Sequence, residues 1–217
     1  MGKKTRLSIL LTLLVVGVIG RSAEEWKGRT IYQLLTDRFA RGDGKTDPCG
    51  NLGYYCGGNY RGIINNLDYI QGMGFDAIWV SPIIDNYDGN YHGYAGRNIY
   101  ELNSNFGSEQ DFHDFVTACH ARDIWVMVDV VGNHMGNTNT NYTSNYLLND
   151  PTYYHDYCII SDNDFATYNQ EHIENCRLFG LADLKQENDY VRTTLLTWIS
   201  TIVKKYNIDG LRVDTVP

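Results

Sequence analysis

Two residues near the end of the chain have the types and the spacing of a reactive pair. Arg212 and Asp214 lie two residues apart in the stretch IDGLRVDTV, residues 208–216. Side chains alternate between the two faces of a β-strand, so both would project from one face of a strand here. A guanidinium stabilises the charged form of a neighbouring carboxylate, and an ionised carboxylate in a cleft can act as a nucleophile. The spacing therefore predicts either a nucleophilic aspartate with its electrostatic partner or a structural ion pair.

A second group of residues offers oxygen atoms to a cation. Asn133 follows the inward-directed Asp129 in the stretch DVVGNHMG, and Glu174 and Asp183 lie in a long polar segment further along. Ca²⁺ accepts six to eight oxygen ligands in relaxed geometry. Asn133, Glu174 and Asp183 are therefore candidate calcium ligands, and the alternative is that the two carboxylates are solvated loop residues.

The stretch YHGYAG carries aromatic and imidazole side chains beside glycines that permit a turn. Tyr91 and Tyr94 could stack on a pyranose ring, and His92 could hydrogen-bond a hydroxyl group. Alone, this motif is a weak indication of a sugar-binding site.

The elements that must position these residues alternate along the chain. Apolar runs predict strands in RTIYQLL, FDAIWVSP, IWVMVDVV and IDGLRVDTV. Helical spacing predicts helices over 60–73, from the Ser108–Asp111 capping box onward, and over 187–206. This order predicts an α/β fold with a parallel sheet, either doubly wound or a (β/α)8 barrel. No G-x-G-x-x-G follows the first strand, which weighs against a dinucleotide-binding fold. In both folds the reactive groups lie at the carboxyl ends of the strands.

Residues 132 to about 186 interrupt the alternation with a polar, tyrosine-rich segment. It is too long for an ordinary connection, so it predicts an inserted functional loop or a small subdomain.

The amino terminus has the pattern of a signal peptide. A basic stretch, MGKKTR, precedes the apolar run LSILLTLLVVGVIG, which is short for a membrane anchor. We expect residues 1–23 to be a signal peptide and the protein to be secreted. The sequon Asn141-Tyr142-Thr143 predicts N-glycosylation at Asn141 of a secreted protein.

Secretion permits disulfides among the five cysteines. Cys49 and Cys56 close a short loop, and Cys158 and Cys176 bracket a longer polar segment. These two pairings leave Cys119 as a small buried hydrophobic residue within a helix.

Composition narrows the class of partner. The 217 residues carry a formal net charge of −8, whereas a nucleic-acid-binding protein needs a basic surface. This balance favours a neutral substrate or a bound cation. The length is sufficient for one domain with a buried core.

Taken in order, the motifs IYQLLTDRFAR, LDYIQGMGFDAIWVSP, YHGY, VMVDVVGNHMG and IDGLRVDTV closely resemble those of the secreted fungal α-amylases of the Taka-amylase type. The resemblance runs from about Glu25 to Val216 and includes both cysteine pairs and the place of the insertion. It implies that residues 24–217 form the first four units of a (β/α)8 barrel, with a domain B inserted at about 134–184. It also implies retaining hydrolysis of α-1,4-glucosidic bonds in starch, glycogen or malto-oligosaccharides by a monomeric parent enzyme.

The resemblance carries over roles residue by residue. Asp214 matches the nucleophile and Arg212 its electrostatic partner. Tyr94 matches the ring that stacks on the sugar at the cleaved bond, and His92 and His134 match residues that bind its hydroxyl groups. The matched ligands of a Ca²⁺ ion are Asn133, Glu174 and Asp183.

The sequence also departs from the family pattern. The family's acid is a glutamate after the fifth strand, and a Lys-His pair follows Asp-Thr-Val, where this sequence has Pro217. Ala95 replaces an aromatic residue. We therefore expect the 217 residues to be a fragment that lacks the rest of the barrel and any C-terminal β-domain, and to be inactive on starch by itself. The alternatives are a short, non-catalytic starch- or calcium-binding protein and a related α-glucosidase or transglycosylase.

Overall fold

The structure, a computed structural model, describes residues 20–216. Residues 1–19, most of the predicted signal peptide, and Pro217 lie outside the described residues. The strands are β1 Ile31–Leu34, β2 Ala77–Val80, β3 Ile84–Asn86, β4 Gly96–Leu102, β5 Trp125–Val131, β6 His134–Met135, β7 Ala182–Asp183 and β8 Gly210–Asp214. The α-helices are α1 Ala23–Trp26, α2 Thr36–Phe39, α3 Tyr60–Asn65, α4 Leu67–Gly72, α5 Glu109–His120, α6 Asp162–Ala166, α7 Gln170–Asn175 and α8 Asp189–Tyr206.

Four strands form one parallel sheet in the order β1–β2–β5–β8. These are the four strands predicted from the apolar runs, and helices lie between them along the chain. The sequential order of parallel strands is that of the first four strands of a (β/α)8 barrel, so the predicted fold class is confirmed.

The two faces of the sheet bury different kinds of residue. Ile78 of β2 and Val128 of β5 belong to the core cluster that packs with the helices. That cluster includes the buried stripes of α5 and α8, namely Phe112, Phe115, Val116, Cys119, Val191, Leu195, Trp198, Ile202 and Tyr206. Because strand side chains alternate, the opposite face presents Trp79, Asp129 and Arg212. The polar groups of the sheet therefore face away from the helices.

The predicted helix over 60–73 is two short helices, α3 and α4. They meet at Asn66, whose backbone (φ −117°, ψ 14°) leaves the helical region. The Asn66 side chain donates from Nδ2 to the Gly62 carbonyl oxygen at 2.8 Å, and such a bond competes with the helical backbone pattern. The spacing still gave the correct buried residues, Ile63, Leu67 and Ile70.

The other two predicted helices are each a single element with a side-chain cap. Ser108 and Asp111 form both hydrogen bonds of a capping box at the start of α5. Asn188 caps α8, and its Oδ1 accepts from the backbone N–H of Tyr190 at 2.9 Å. These two helices flank β5, the strand that carries Asp129.

The long segment between β5 and α8 leaves and returns at neighbouring points. His134 of β6 pairs with Asp183 of β7, and Met135 pairs with Ala182, in an antiparallel ladder. Between them the segment contains α6, α7 and short 3-10 helices. The sequence did not predict these elements, nor the antiparallel pair β3–β4.

Among residues 20–216, no helix is long and apolar enough to cross a membrane.

Candidate active site

The pairing of β5 with β8 brings two carboxylates to one arginine. Their register places Asp129 opposite Arg212, and Val131 opposite Asp214, at the carboxyl ends of the strands. Arg212 Nη1 lies 3.1 Å from both carboxylate oxygens of Asp129, and it also donates to Oδ1 of Asp214. The Thr215 hydroxyl donates to Oδ2 of Asp214 at 2.6 Å. Arg212 therefore joins the predicted nucleophile to a second, deeper carboxylate.

Asp129 is the buried centre of this network, with 1% of its surface exposed. Its Oδ2 accepts from the Tyr94 hydroxyl at 2.8 Å and from Trp79 Nε1 at 3.1 Å, in addition to Arg212. Burial raises the pKa of Asp129, and the hydrogen bonds from Tyr94 and Arg212 oppose that rise. Donors from three separate parts of the chain thus hold a carboxylate that water does not reach.

Arg212 supplies a permanent positive charge beside Asp214. Burial alone would lower the pKa of Arg212, but the hydrogen bonds and charges of Asp129 and Asp214 raise it above its ordinary value. The guanidinium also lies over the Trp79 ring, with its Cζ 5.1 Å from the ring centroid. A fixed cation here favours negative charge on Asp214, as a nucleophile requires.

The predicted sugar-binding residues share a cleft with Asp214. Its volume is about 450 Å³, and its lining comprises Asn90, His92, Tyr94, Ala95, His134, Leu178, Phe179, Leu181, Asp214 and Thr215. The rings of His92 and Tyr94 are stacked, 5.8 Å apart and 20° from parallel. Burial and the hydrogen bond to Asp129 raise the pKa of Tyr94, so its hydroxyl remains a neutral donor. The structure therefore brings Tyr94, His92 and His134 to the predicted nucleophile.

His134 has a defined tautomer. Its Nε2 lies 3.0 Å from the Tyr94 carbonyl oxygen, which can only accept, so Nε2 carries the hydrogen. Burial lowers the pKa of His134, which keeps the ring neutral and leaves Nδ1 as an acceptor. Asn133 Nδ2 is 3.3 Å from Nδ1. The amide nitrogen of Asn133 thus faces His134, and its side-chain oxygen has no hydrogen-bond partner within the part of the chain that the structure describes.

A second cavity, of about 550 Å³, adjoins Asp214 on the side of the insertion. The predicted calcium ligands Asn133 and Glu174 both line it, together with His155 and Glu187. Asp183 does not line it, and its Oδ2 lies 2.6 Å from Nδ1 of His155. Within the described residues, no three His, Cys, Asp or Glu side chains are grouped closely enough to hold a metal ion.

The donors nevertheless match the chemistry of a hard cation. Asn133 has a free carbonyl oxygen, and Glu174 is exposed on α7 at the edge of the cavity. Asp183 is 3% exposed, and burial raises its pKa to about 6 even with His155 beside it. His155 and Arg177 oppose that rise, and a calcium ion nearby would oppose it further.

Two disulfides are present, and one of them lies next to the helix that carries Glu174. Cys49 is bonded to Cys56, and Cys158 to Cys176, while Cys119 is free and buried. Cys176 directly follows α7, which carries Glu174, so the second bond fixes the end of that helix.

Three residues of the site were not predicted from the sequence. Asp129 had no predicted function, although a carboxylate inside an apolar strand must find donors and so indicates a network. Trp79 was not predicted, because its contacts depend on the register of β2 with β5. Phe179, a cleft residue that is 87% exposed with φ at 52°, was not predicted either.

Comparisons with known proteins agree with this arrangement. The family profile described as "Alpha amylase, catalytic domain" matches residues 33–217. Alpha-amylase 2 of Schizosaccharomyces pombe is 41% identical over 225 residues, covering 96% of this chain and 38% of that protein. Alpha-amylase 1 of Schwanniomyces occidentalis is 42% identical over 209 residues, covering 91% of this chain and 41% of that protein.

A solved structure shows the same relation. The α-amylase of Malbranchea cinnamomea superposes with a TM-score of 0.82 at 45% identity, covering 88% of this chain and 43% of that one. The chain thus spans about two fifths of the length of these relatives.

Proposed function

Because this chain belongs to the α-amylase family, we propose that it carries the nucleophile of a retaining α-amylase, and that the protein hydrolyses internal α-1,4-glucosidic bonds of starch, glycogen and malto-oligosaccharides. The observation that carries the proposal is the position of Asp214. It lies at the end of a parallel strand, is bonded to Arg212, and lines a cleft with Tyr94 and His92.

In this proposal each residue has a distinct part in the first chemical step. An oxygen of Asp214 attacks the anomeric carbon, and the bond from that carbon to the leaving oxygen breaks. Arg212 keeps negative charge on Asp214 until the attack. Tyr94 offers its ring to the apolar face of the sugar, and His92 offers a ring nitrogen to a hydroxyl group. The product is a covalent glycosyl-enzyme that water later hydrolyses.

Natural substrates need a second carboxyl group, about 5–5.5 Å from the first, to protonate the leaving oxygen. The resemblance places that group in a glutamate after the fifth barrel strand. That the 217 residues alone do not hydrolyse starch therefore stays a prediction. A substrate whose leaving group departs without a proton tests Asp214 independently of the acid.

The test is labelling of this chain with 5-fluoro-α-maltosyl fluoride. Asp214 forms a bond to the anomeric carbon, the carbon–fluorine bond breaks, and fluoride leaves with the bonding electrons. We expect one glycosyl ester per chain by intact mass, located by peptide mapping on Asp214. A label on another residue, or no label on folded protein, would contradict the assignment.

We also propose that Asn133, Glu174 and Asp183 hold a Ca²⁺ ion through side-chain oxygens. The support is the free carbonyl oxygen of Asn133, the shared cavity with Glu174 and the raised pKa of Asp183. Bound there, the ion would link the insertion, here proposed to be the family's domain B at 134–184, to the end of β5.

Calcium is accordingly expected to stabilise the folded chain. At a free concentration 100 times its Kd, the ion should add about 2.7 kcal/mol to the free energy of unfolding. Urea denaturation with and without CaCl₂ measures the effect, and Glu174→Gln should reduce it. The matched control is Glu171→Gln, another exposed carboxylate on α7, outside the cavity. An equal loss in both variants would count against the site.

Secretion and glycosylation remain proposals of the same kind. Two disulfides and the exposed position of Asn141 support them. Mapping of glycopeptides from the protein expressed in a yeast tests modification at Asn141.

A further inference from the structure

Trp79 contacts both charged members of the network behind Asp214. Its Nε1 donates to Oδ2 of Asp129 at 3.1 Å, and its ring lies under the guanidinium of Arg212 at 5.1 Å. An indole can use its N–H and its ring face at the same time, because the two point in different directions. Trp79 is therefore placed to fix the relative position of Asp129 and Arg212.

The register of the sheet explains why Trp79 can do this. β2 pairs with β5 so that Trp79 lies opposite Met127, two residues before Asp129. Met127 and Asp129 share a face of β5, and Asp129 lies opposite Arg212 of β8. One row of side chains thus crosses three strands, from Trp79 through Asp129 to Arg212.

The indole is one of three donors to the Oδ2 atom of Asp129. Oδ2 accepts from Trp79, Tyr94 and Arg212, whereas among residues 20–216 the partner of Oδ1 is Arg212. Tyr94 also lines the cleft, and Arg212 also donates to Asp214, which lines it too. Trp79 does not line that cleft, and its indole contacts two members of the network behind it.

We propose that Trp79 is a positioning residue, which orients Arg212 toward Asp214 by hydrogen-bonding Asp129 and by supporting the guanidinium on its ring. The proposal rests on the proposed role of Asp214 as nucleophile. Without the indole N–H, the Asp129 carboxylate can rotate toward Arg212, and Arg212 then stabilises Asp214 less well.

The first arm of the test is the rate of glycosyl-ester formation with 5-fluoro-α-maltosyl fluoride. Trp79→Phe keeps a ring but removes the donor, and we expect a rate about tenfold lower, as for one lost hydrogen bond to a charged group. Affinity for malto-oligosaccharide, measured by calorimetry, should change by less than about twofold, because Trp79 does not line the cleft. Trp79→Gln restores a side-chain N–H donor and should recover part of the rate.

Trp125→Phe is the matched control. Trp125 is the first residue of β5, at the end of the strand away from Asp129. Two guanidinium groups also lie over its ring, with the Cζ of Arg29 3.9 Å and that of Arg21 4.9 Å from the ring centroid. Asp214 lies opposite Val131 at the other end of β5, so loss of the Trp125 indole should leave the labelling rate unchanged. An unchanged rate in folded Trp79→Phe, or an equal loss in Trp125→Phe, would overturn the proposal.

The second arm does not depend on any reaction. The chain has four tryptophans, and ¹⁵N-labelling gives each an indole N–H resonance, with Trp79 assigned through Trp79→Phe. Asp129→Asn replaces a charged acceptor by a neutral one, so the Trp79 resonance should move upfield while those of Trp26, Trp125 and Trp198 stay. A stationary Trp79 resonance would overturn the proposal. If the unsubstituted chain is not labelled, the role of Asp214 fails, and this arm alone then decides on Trp79.

Discussion

Replacement of Asp214 by asparagine is expected to abolish formation of the glycosyl ester, with a fall in rate on the order of 10³-fold or more. Asparagine has nearly the same shape and still accepts the Thr215 hydroxyl. It lacks the negative charge that makes the side chain a nucleophile. Arg212 keeps its bonds to Asp129, so the sheet should remain folded. Intact mass measured over time, on protein of verified circular dichroism, gives the rate.

The control must remove an aspartate of no importance to the cleft. Asp68→Asn does so, because that side chain is 85% exposed, pairs with Arg122 and does not line the cleft. It should be labelled at the rate of the unsubstituted chain. If Asp214→Asn is labelled within about tenfold of that rate, the nucleophile is another residue. Glu187, which lines the neighbouring cavity, would then be the first to examine.

The arrangement of strands and long helices could be predicted because local signals were consistent. The run IWVMVDVV is apolar except for Asp129, and its strand is buried between helices and neighbouring strands. The stripe from Val191 to Tyr206 faces the core, and the Ser108 cap begins α5. Each signal depends on neighbours in sequence, which is what sequence patterns report.

Elements held by non-local contacts were missed for the same reason. The strand β4 is paired with β3 across the YHGYAG turn, and its polar composition gives no strand signal. The break at Asn66 depends on one side chain that bonds the preceding turn. The polar break after β5 indicated the place of the insertion, but not the short helices α6 and α7 within it.

Within the site, the sequence identified the side chains that we propose meet substrate, but not the residues that support them. Arg212 and Asp214 are two residues apart, so their contact follows from strand geometry alone. The contacts of Asp129 with Trp79 and Tyr94 join residues 50 and 35 positions apart. They depend on strand register and on the course of the loop after β3. Convergence of Asn133 with Glu174 likewise depends on how the insertion folds.

A second large effect is expected on the free energy of unfolding. Arg212→Met leaves the Asp129 carboxylate buried with its hydrogen bonds from Trp79 and Tyr94 but without a counter-charge. Removal of one partner from a buried ion pair costs about 3–5 kcal/mol, and Arg212 is partly exposed, so we expect about 2–3 kcal/mol at pH 7. Urea denaturation followed by circular dichroism measures the free energy of unfolding.

The loss should depend on pH in a direction that identifies its cause. Burial raises the pKa of Asp129 in the folded chain above its unfolded value, and removal of Arg212 raises it further. The folded state then binds the proton more tightly than the unfolded state, so stability falls as pH rises through the folded pKa. The deficit of Arg212→Met should therefore be largest at pH 7 and should shrink toward pH 4. Asp129→Asn in the same chain removes the charge, keeps an acceptor for Trp79 and Tyr94, and should restore most of the stability at pH 7. A deficit that is equal at both pH values and unchanged by Asp129→Asn would mean that Arg212 stabilises the sheet by packing, not by compensating a buried charge.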